Sequence, residues 1–425
     1  MELIVAEKPK VAEKIANALA GSEKVTKSAL NGVSYYETTH NGHELIVAPA
    51  VGHVYSLVEK EKSSTYPVFD IHWVPAYVAS PRAAAFTKDY VQLLQKLAKK
   101  ADIFVSACDY DVEGSTIAYN VFRFATTIRE GQRMKFSALT ESDLVEAYEN
   151  RSEFDYNNAY AGEARHMLDW YYGINLSRAL MGAIKSASRY RVLSIGRVQG
   201  PALSIVSELE KEIRAFVPTP YWEITIIIED VEFGHTEGRF LDEKVADAAL
   251  SKTTDQAKVK SVDKKDQILQ PQPNFDLTSL QLEAYRLFKY TPSRTLELSQ
   301  NLYEASVITY PRTSSQKIPA SINLKSIIAT IAKNPDYSDL AKKLVKNEWY
   351  KPMEGKKEDP AHPAIHPTGL APGKLDSQQK NLYDLIVRRF LASFAPAATK
   401  ERVRVEANSG GELYSASGSR IVEKG

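Results

Sequence analysis

The segment IFVSACDYDVEGSTIAYNVF, residues 103–122, constrains the fold more than any other part of the chain. An apolar run from Ile103 to Cys108 ends in three carboxylates at alternating positions, Asp109, Asp111 and Glu113, and Gly114 then opens a helix-like stretch. Strand, acidic loop and helix in that order form the unit of an open α/β sheet, whose working loops leave the carboxyl ends of the strands. Between residues 101 and 122 there are four acids, Asp102 included, and no Lys or Arg. Like charges this close repel, and a hard divalent cation with oxygen ligands, Mg²⁺ first, would offset them. A lone DxD reads as a solvated acidic turn; the preceding apolar strand and the third acid move the reading toward a metal site. Cys108 reads as a small buried apolar residue, because Mg²⁺ chemistry prefers oxygen.

The rest of the first 150 residues repeats that unit. Leu3 to Ala6 is an apolar run, and Lys10 to Ala20 carries helical periodicity. Asn41-Gly42 between residues 34–40 and 43–49 is a two-residue hairpin signal. Met134 to Ala138 suits a further strand, and Thr140 with Asp143 caps a helix running to Glu149. Glu7-Lys8 follows the first strand of the same sheet. Two strand-end loops of such a sheet can share one crevice, where Glu7 would add a fourth carboxylate or a general acid and Lys8 a cation for phosphate. Taken alone, the pair is ordinary capping chemistry.

Beyond residue 150 the pattern changes. Residues 151–213 are helical with a break near Ser194-Ile195-Gly196, residues 221–270 are β-rich, and ILQPQPNFD is a proline-marked linker. Residues 277–345 turn helical again, with Thr291 as N-cap and Pro292 at the first helical position. One more helix follows at 380–394, and VRVEA at 402–406 returns to strand. β-structure on both sides of a helical block predicts a helical domain inserted into a sheet domain. At 425 residues the chain has room for two to four domains of about 150 residues each.

Charge is nearly balanced, 54 Lys plus Arg against 53 Asp plus Glu, so bulk charge does not hold this chain to nucleic acid. A local groove is a different matter. Residues 170–207 carry Arg178, Lys185, Arg189, Arg191 and Arg197 without a single acid, with Trp170, Tyr171, Tyr172 and Tyr190 interleaved. That composition suits a groove that follows a phosphate backbone and stacks bases, or else a basic face paired with distant acids. The single cysteine excludes an internal disulfide and a multi-cysteine zinc site. No run of 18 apolar residues occurs, and MELIVAEKPK lacks the layout of a signal peptide, so a soluble intracellular protein is expected.

Ile308-Thr309-Tyr310-Pro311-Arg312-Thr313-Ser314 is dense in chemistry. A phenol with a pKa of about 10 is a poor nucleophile at neutral pH, and Arg312 could stabilise both phenolate and an attacked phosphate. In most chains Tyr-Pro-Arg is a structural turn. DPAHPAIHPTG sets His362 and His366 among prolines, as a rigid exposed loop in which His362 could bond a phosphate or shuttle a proton.

In this order the motifs resemble those of the type IA DNA topoisomerases, in particular the archaeal and topoisomerase III-like branch. AEKP (6–9) and DYDVEG (109–114) resemble the two signatures of a Toprim domain, with PAVGHVYSL (49–57) and FSALTESDLVEAYEN (136–150) between and after them. ARHMLDWYYGINLSRAL (164–180) and SIGRVQGPAL (194–203) resemble DNA-binding helices. EASVITYPRTSS (304–315) resembles the active-site tyrosine motif and AHPAIHPT (361–368) the histidine loop. The implied fold is multi-domain α/β: a Rossmann-like Toprim domain (1–150), a helical DNA-binding domain (151–214), a β-rich hinge domain (215–275 and 396–425) and an inserted helical domain with the tyrosine (276–395).

The resemblance implies that Tyr310 attacks one DNA strand and retains a 5′-phosphotyrosyl bond. Arg312 and Lys8 stabilise the transition state, and Glu7 protonates the leaving 3′-oxygen. Glu7, Asp109, Asp111 and Glu113 hold Mg²⁺, while His362, Arg165, Asp169, Arg197 and Gln199 position a single strand. The partner is the single-stranded region of negatively supercoiled DNA, without membrane or nucleotide cofactor, and the location cytoplasmic and nucleoid-associated. No GxxxxGK[ST] motif is present, as suits transesterification without ATP.

Family members continue past the equivalent of residue 425 through a GIGRPSTYA-like segment absent here, and often into zinc ribbons. A shortened or split form is the expectation. Two other readings stand beside it: a Toprim-type metal-dependent nuclease, and a DNA-binding and cleaving fragment without full strand passage.

Overall fold

The computed structural model describes residues 1–186 and 192–425. Arg189, Tyr190 and Arg191 of the basic stretch lie outside the described residues. The chain opens with strand β1 (Glu2–Ala6), helix α1 (Pro9–Ala20), β2 (Thr26–Leu30), β3 (Val33–His40), β4 (His43–Pro49), β5 (Tyr55–Glu59) and β6 (Ile71–Pro75). Short α2 (Ala76–Ala79) and α3 (Thr87–Ala98) lead to β7 (Ile103–Ala107), α4 (Val112–Ala125), β8 (Glu130–Arg133), α5 (Glu141–Glu149) and β9 (Ser152–Glu153). Seven of these strands form one sheet in the order β2-β3-β4-β1-β7-β8-β9, with β1 parallel to β4 and β7. Leu3 to Ala6 are wholly buried, as a central parallel strand covered on both faces requires. The one buried charge on β1, Glu2, is satisfied by the Tyr148 hydroxyl at 2.8 Å and Arg151 at 3.1 Å.

The register places Ala6 opposite both Ala107 and Pro49, so the loops after β1, β7 and β4 leave the sheet side by side. β1 continues to one side of the sheet and β7 lies on the other, which makes this the switch point where a crevice opens. The hairpin at Asn41-Gly42 and the Thr140 cap, which accepts from Asp143 N at 3.2 Å, form as expected.

The expected strand at Met134–Ala138 is corrected: the strand is Glu130–Arg133, and Met134 N makes the last bond to β7 by donating to Ser106 O. The next residues leave the sheet, and Ser137 O accepts from the backbone of Tyr310 at 2.8 Å. Met134, Phe136 and Ala138 are buried alternately, as in a strand, yet Met134 and Phe136 pack in the core shared with the tyrosine-bearing helices.

α6 (Tyr156–Trp170), a π-helical turn (Tyr171–Leu176), α7 (Ser177–Ser186) and α8 (Gln199–Ala215) follow. α6 crosses α4 at Gly162, where a Cβ would lie 1.8 Å from Thr116 Oγ1 and 2.8 Å from Val112 O. Only glycine permits this approach, and it sets the next turn of α6 over the start of α4.

A second sheet, β10-β11-β14-β13-β12, comprises β10 (Trp222–Ile228), β11 (Val231–Phe240) and β12 (Lys258–Leu269) before a helical block and β13 (Ala398–Ser409) and β14 (Glu412–Glu423) after it, with α9 (Glu243–Lys252) on one side. Leu269 pairs with Ala398, so the inserted block enters and leaves through adjacent strands. The block contains α10 (Leu277–Phe288), α11 (Pro292–Glu304), α12 (Leu324–Ile331), α13 (Ser338–Lys346) and α14 (Ser377–Ala392). The expectation that 277–345 is helical fails between residues 305 and 323. There the chain is irregular and zippered to the histidine loop, through the bridge Ile308↔Pro367 and Thr309 N to His366 O at 3.0 Å. Among the described residues no helix is long and apolar enough to cross a membrane.

Candidate active site at the switch point of the sheet

Three strand-end loops and one inserted segment supply the site. Glu7 and Lys8 follow β1, and Asp109 and Asp111 follow β7. Asp111 is also the N-cap of α4: its Oδ1 accepts from Gly114 N at 2.7 Å. Gly114 has no alternative, since a Cβ there would sit 2.1 Å from Asp109 O. Tyr310 arrives from the inserted block, almost fully buried, and donates its hydroxyl to Asp111 Oδ2 at 2.5 Å. A cavity of about 270 Å³ is lined by Glu7, Lys8, Asp109, Asp111, Glu113, Tyr310 and Arg312. Seven of the predicted residues thus meet at one crevice.

The electrostatics show what the crevice is suited to hold. Burial, with Asp109 next, pushes the Glu7 carboxyl up to about 8. Burial likewise pushes Asp109 up to about 6, against the pull of Lys8. Burial first, and then Asp111 and Asp109, hold the Tyr310 phenol well above its usual range, so it keeps its proton. Carboxylates that resist ionising together, with an all-oxygen donor set, fit a hard divalent cation. The protein's own cation is engaged elsewhere: Lys8 Nζ contacts Glu304 Oε1 at 2.5 Å. Arg312 is exposed and faces the cavity.

His362 does not line the cavity. Its ring lies 4.5 Å from that of Tyr310, Nε2 donates to Tyr110 O at 2.9 Å, and Nδ1 accepts from Ser137 Oγ at 2.8 Å. The loop expected to be exposed is in fact buried at both histidines, because it packs against the tyrosine segment. His366 carries none of this chemistry; burial pushes it down to about 4.

Glu113 lines the rim, but its oxygens are already engaged. Oε2 accepts from His53 Nε2 and His166 Nε2, each at 2.9 Å, and Oε1 pairs with Arg165 at 3.1 Å. The two histidine bonds hold this carboxyl far below its usual range. From there a chain of charges runs outward: Arg165 reaches Asp169 at 3.9 Å, and Asp169 takes Arg197 on both oxygens, at 2.8 and 3.3 Å. Gln199, exposed at the start of α8, is not joined to that chain.

Sequence reasoning did not single out Tyr303, whose hydroxyl donates to Asp109 Oδ1 at 3.3 Å, nor Glu304, His53 or His166. Each lies within or beside a motif already noted. Their convergence is a tertiary fact.

The fold and site together are an α/β layer with a buried acidic crevice, into which a second domain inserts a tyrosine. Residues 2–139 match the family described as Toprim domain, and residues 153–425 match the family described as DNA topoisomerase. The chain belongs to the type IA DNA topoisomerases. DNA topoisomerase 1 of Methanocaldococcus jannaschii is 46% identical over all of this chain and 56% of its own length. The Pyrococcus horikoshii protein of the same name is 47% identical over all of this chain and 63% of its own length. The structure of full-length topoisomerase I from Thermotoga maritima superposes with a TM-score of 0.69 at 25% identity, over 99% of this chain and 66% of that one. The chain therefore spans less than two thirds of the length of these relatives.

Proposed function

We propose that the chain cuts and rejoins one DNA strand through a 5′-phosphotyrosyl intermediate, without ATP, as the catalytic part of a topoisomerase that relaxes negatively supercoiled DNA. The observation that carries this reading is the Tyr310 hydroxyl lodged among Glu7, Asp109, Asp111 and Arg312. Tyr310 Oη attacks the phosphorus while the bond to the 3′-oxygen breaks. Asp111, which already accepts the phenol's hydrogen bond, takes the proton. Glu7, protonated near neutral pH by its buried setting, gives one to the leaving oxygen. One phosphodiester replaces another, so the step is reversible without an energy source.

Mg²⁺ held by Asp109 and Asp111, and by Glu7 whenever that carboxyl is ionised, would supply the positive charge that lowers the cost of phenolate and of the crowded phosphate. Glu113 would join that set only on releasing His53, His166 or Arg165. Arg312 is placed for the transition-state charge, and Lys8 serves once phosphate displaces Glu304. His362 supports the tyrosine ring and the acidic loop, while Arg165, Asp169, Arg197 and Gln199 guide a single strand. DNA as substrate would put the protein in the cytoplasm with the nucleoid. The adjacent strands at Leu269 and Ala398 suit a hinge on which the tyrosine domain swings to open a gate.

A single-stranded oligonucleotide labelled at its 3′ end tests the assignment. With Mg²⁺, the labelled fragment should stay with the protein on a denaturing gel and a 5′ label should leave it. Free fragments without an adduct would mean a nuclease.

A further inference from the structure

Glu113 stands apart from the other acids. Its two histidine partners come from separate elements: His53 from the loop after β4, and His166 from the turn of α6 that Gly162 sets against α4. Both Nε2 atoms converge on the same oxygen, the rings are 4.7 Å apart, and the three donor atoms lie within 4.8 Å of one another. All three side chains are about a quarter to a third exposed, and His53 and Glu113 line the cavity.

Two imidazole nitrogens with one carboxylate oxygen is the donor set of borderline cations such as Zn²⁺ and Co²⁺, not of Mg²⁺. Metal–nitrogen bonds of about 2.0–2.1 Å at tetrahedral angles put ligand atoms a little over 3 Å apart. The 2.9 Å hydrogen bonds already hold the two histidine–carboxylate pairs at nearly that spacing, and the two imidazole nitrogens lie within 4.8 Å of each other. The surroundings are fixed as a ligand shell needs. Arg165 occupies Oε1 and leaves Oε2 as the single carboxylate donor. Trp73 lies 5.8 Å from His166 and donates to Glu163, which Arg123 holds at 2.7 Å.

We propose that His53, Glu113 and His166 form a binding site for one transition-metal ion of the zinc class, at the rim of the crevice and distinct from its buried carboxylates Glu7, Asp109 and Asp111. The ion clamps the β4 loop to α4 and α6, and it withholds Glu113 from the crevice. The inference stands on the three side chains alone and does not depend on the topoisomerase reading.

The test is titration of the protein with Co²⁺ in millimolar Mg²⁺, following visible absorption and the metal retained on ultrafiltration. One equivalent should bind, Zn²⁺ should displace it, and added Mg²⁺ should not. His53→Gln and His166→Gln keep a donor for Glu113 and the fold, checked by thermal melting, and each should weaken Co²⁺ binding at least tenfold. Co²⁺ should raise the melting temperature of the native protein and not of either variant. Displacement by Mg²⁺, or unchanged affinity in both variants, overturns the site. A sulfur-to-cobalt charge-transfer band would also overturn it, by assigning the ion to Cys108.

Discussion

Tyr310 and Asp111 lie 199 residues apart and share a hydrogen bond of 2.5 Å across the boundary between the sheet and the inserted block. The same carboxylate caps α4 through its other oxygen. One side chain thus fixes the helix that opens the crevice and accepts the hydrogen bond of the phenol that enters it. Tyr303 on Asp109, Lys8 on Glu304 and Ser306 on Leu139 O close the same boundary nearby. These contacts are polar, and beside them Met134 and Phe136 share a buried apolar core with the inserted block.

Tyr310→Phe should reduce covalent capture of a single-stranded oligonucleotide to background. The ring still packs on His362 and Tyr303, so binding should change by no more than about threefold, under 1 kcal/mol. Denaturing gels and fluorescence anisotropy on the same samples read both quantities. An adduct formed by the variant removes Tyr310 from the nucleophile's role.

Glu7 gives a pH dependence of known sign. Its carboxyl is raised from an ordinary 4.5 to about 8, so between those values the folded chain binds more protons than the unfolded one. Stability of the metal-free protein therefore falls as pH rises through that window. Glu7→Gln should lift the melting temperature in EDTA at pH 8, by about 5 °C on the usual scale, and leave it unchanged at pH 4. Mg²⁺ should stabilise the native protein more at pH 8 than at pH 5, and the variant less at either. Parallel melting profiles of the two proteins across this range would show that Glu7 is not held protonated.

Arg197→Ala removes one cation from the chain Glu113–Arg165–Asp169–Arg197. Single-strand affinity should fall, and the slope of log affinity against log salt should flatten by about one unit. A loss of affinity with the slope intact would make Arg197 a partner for Asp169 only.

Local order was legible in the sequence and convergence was not. DYDVEG announced strand, loop and helix because charge, the apolar run and Gly114 all act within ten residues. The hairpin at Asn41-Gly42 and the caps at Thr140 and Thr291 were legible for the same reason. Met134–Ala138 was misread because alternate burial reports two environments without naming the neighbour, which is the tyrosine segment and not a strand. His53 and His166 stood inside recognised motifs, yet nothing local says that both reach Glu113. That depends on Gly162 letting α6 touch α4, a contact between residues far apart in sequence.

The last expectation separates cleavage from strand passage. Leu203, Ile205, Val206, Leu209 and Ile213 of α8 are each 56–72% exposed, and no residue of this helix is buried. A face this apolar in a working protein is covered, and the described residues do not cover it. Glu7, Asp111 and Tyr310 are assembled without it, so residues 1–425 should still form an adduct on a single-stranded oligonucleotide. Repeated passage needs both ends of the cut strand held while the gate swings, and helical segments that bind the strand must be firm for that. Plasmid relaxation by residues 1–425 should therefore be weak or absent at enzyme levels that give full cleavage. Supplying the further length that the relatives possess, on the same chain or as a second polypeptide, should restore relaxation. It should also suppress binding of a hydrophobic dye at α8, a readout independent of DNA. Efficient relaxation by residues 1–425 alone, with the dye still bound, would show that the gate closes without α8 being covered.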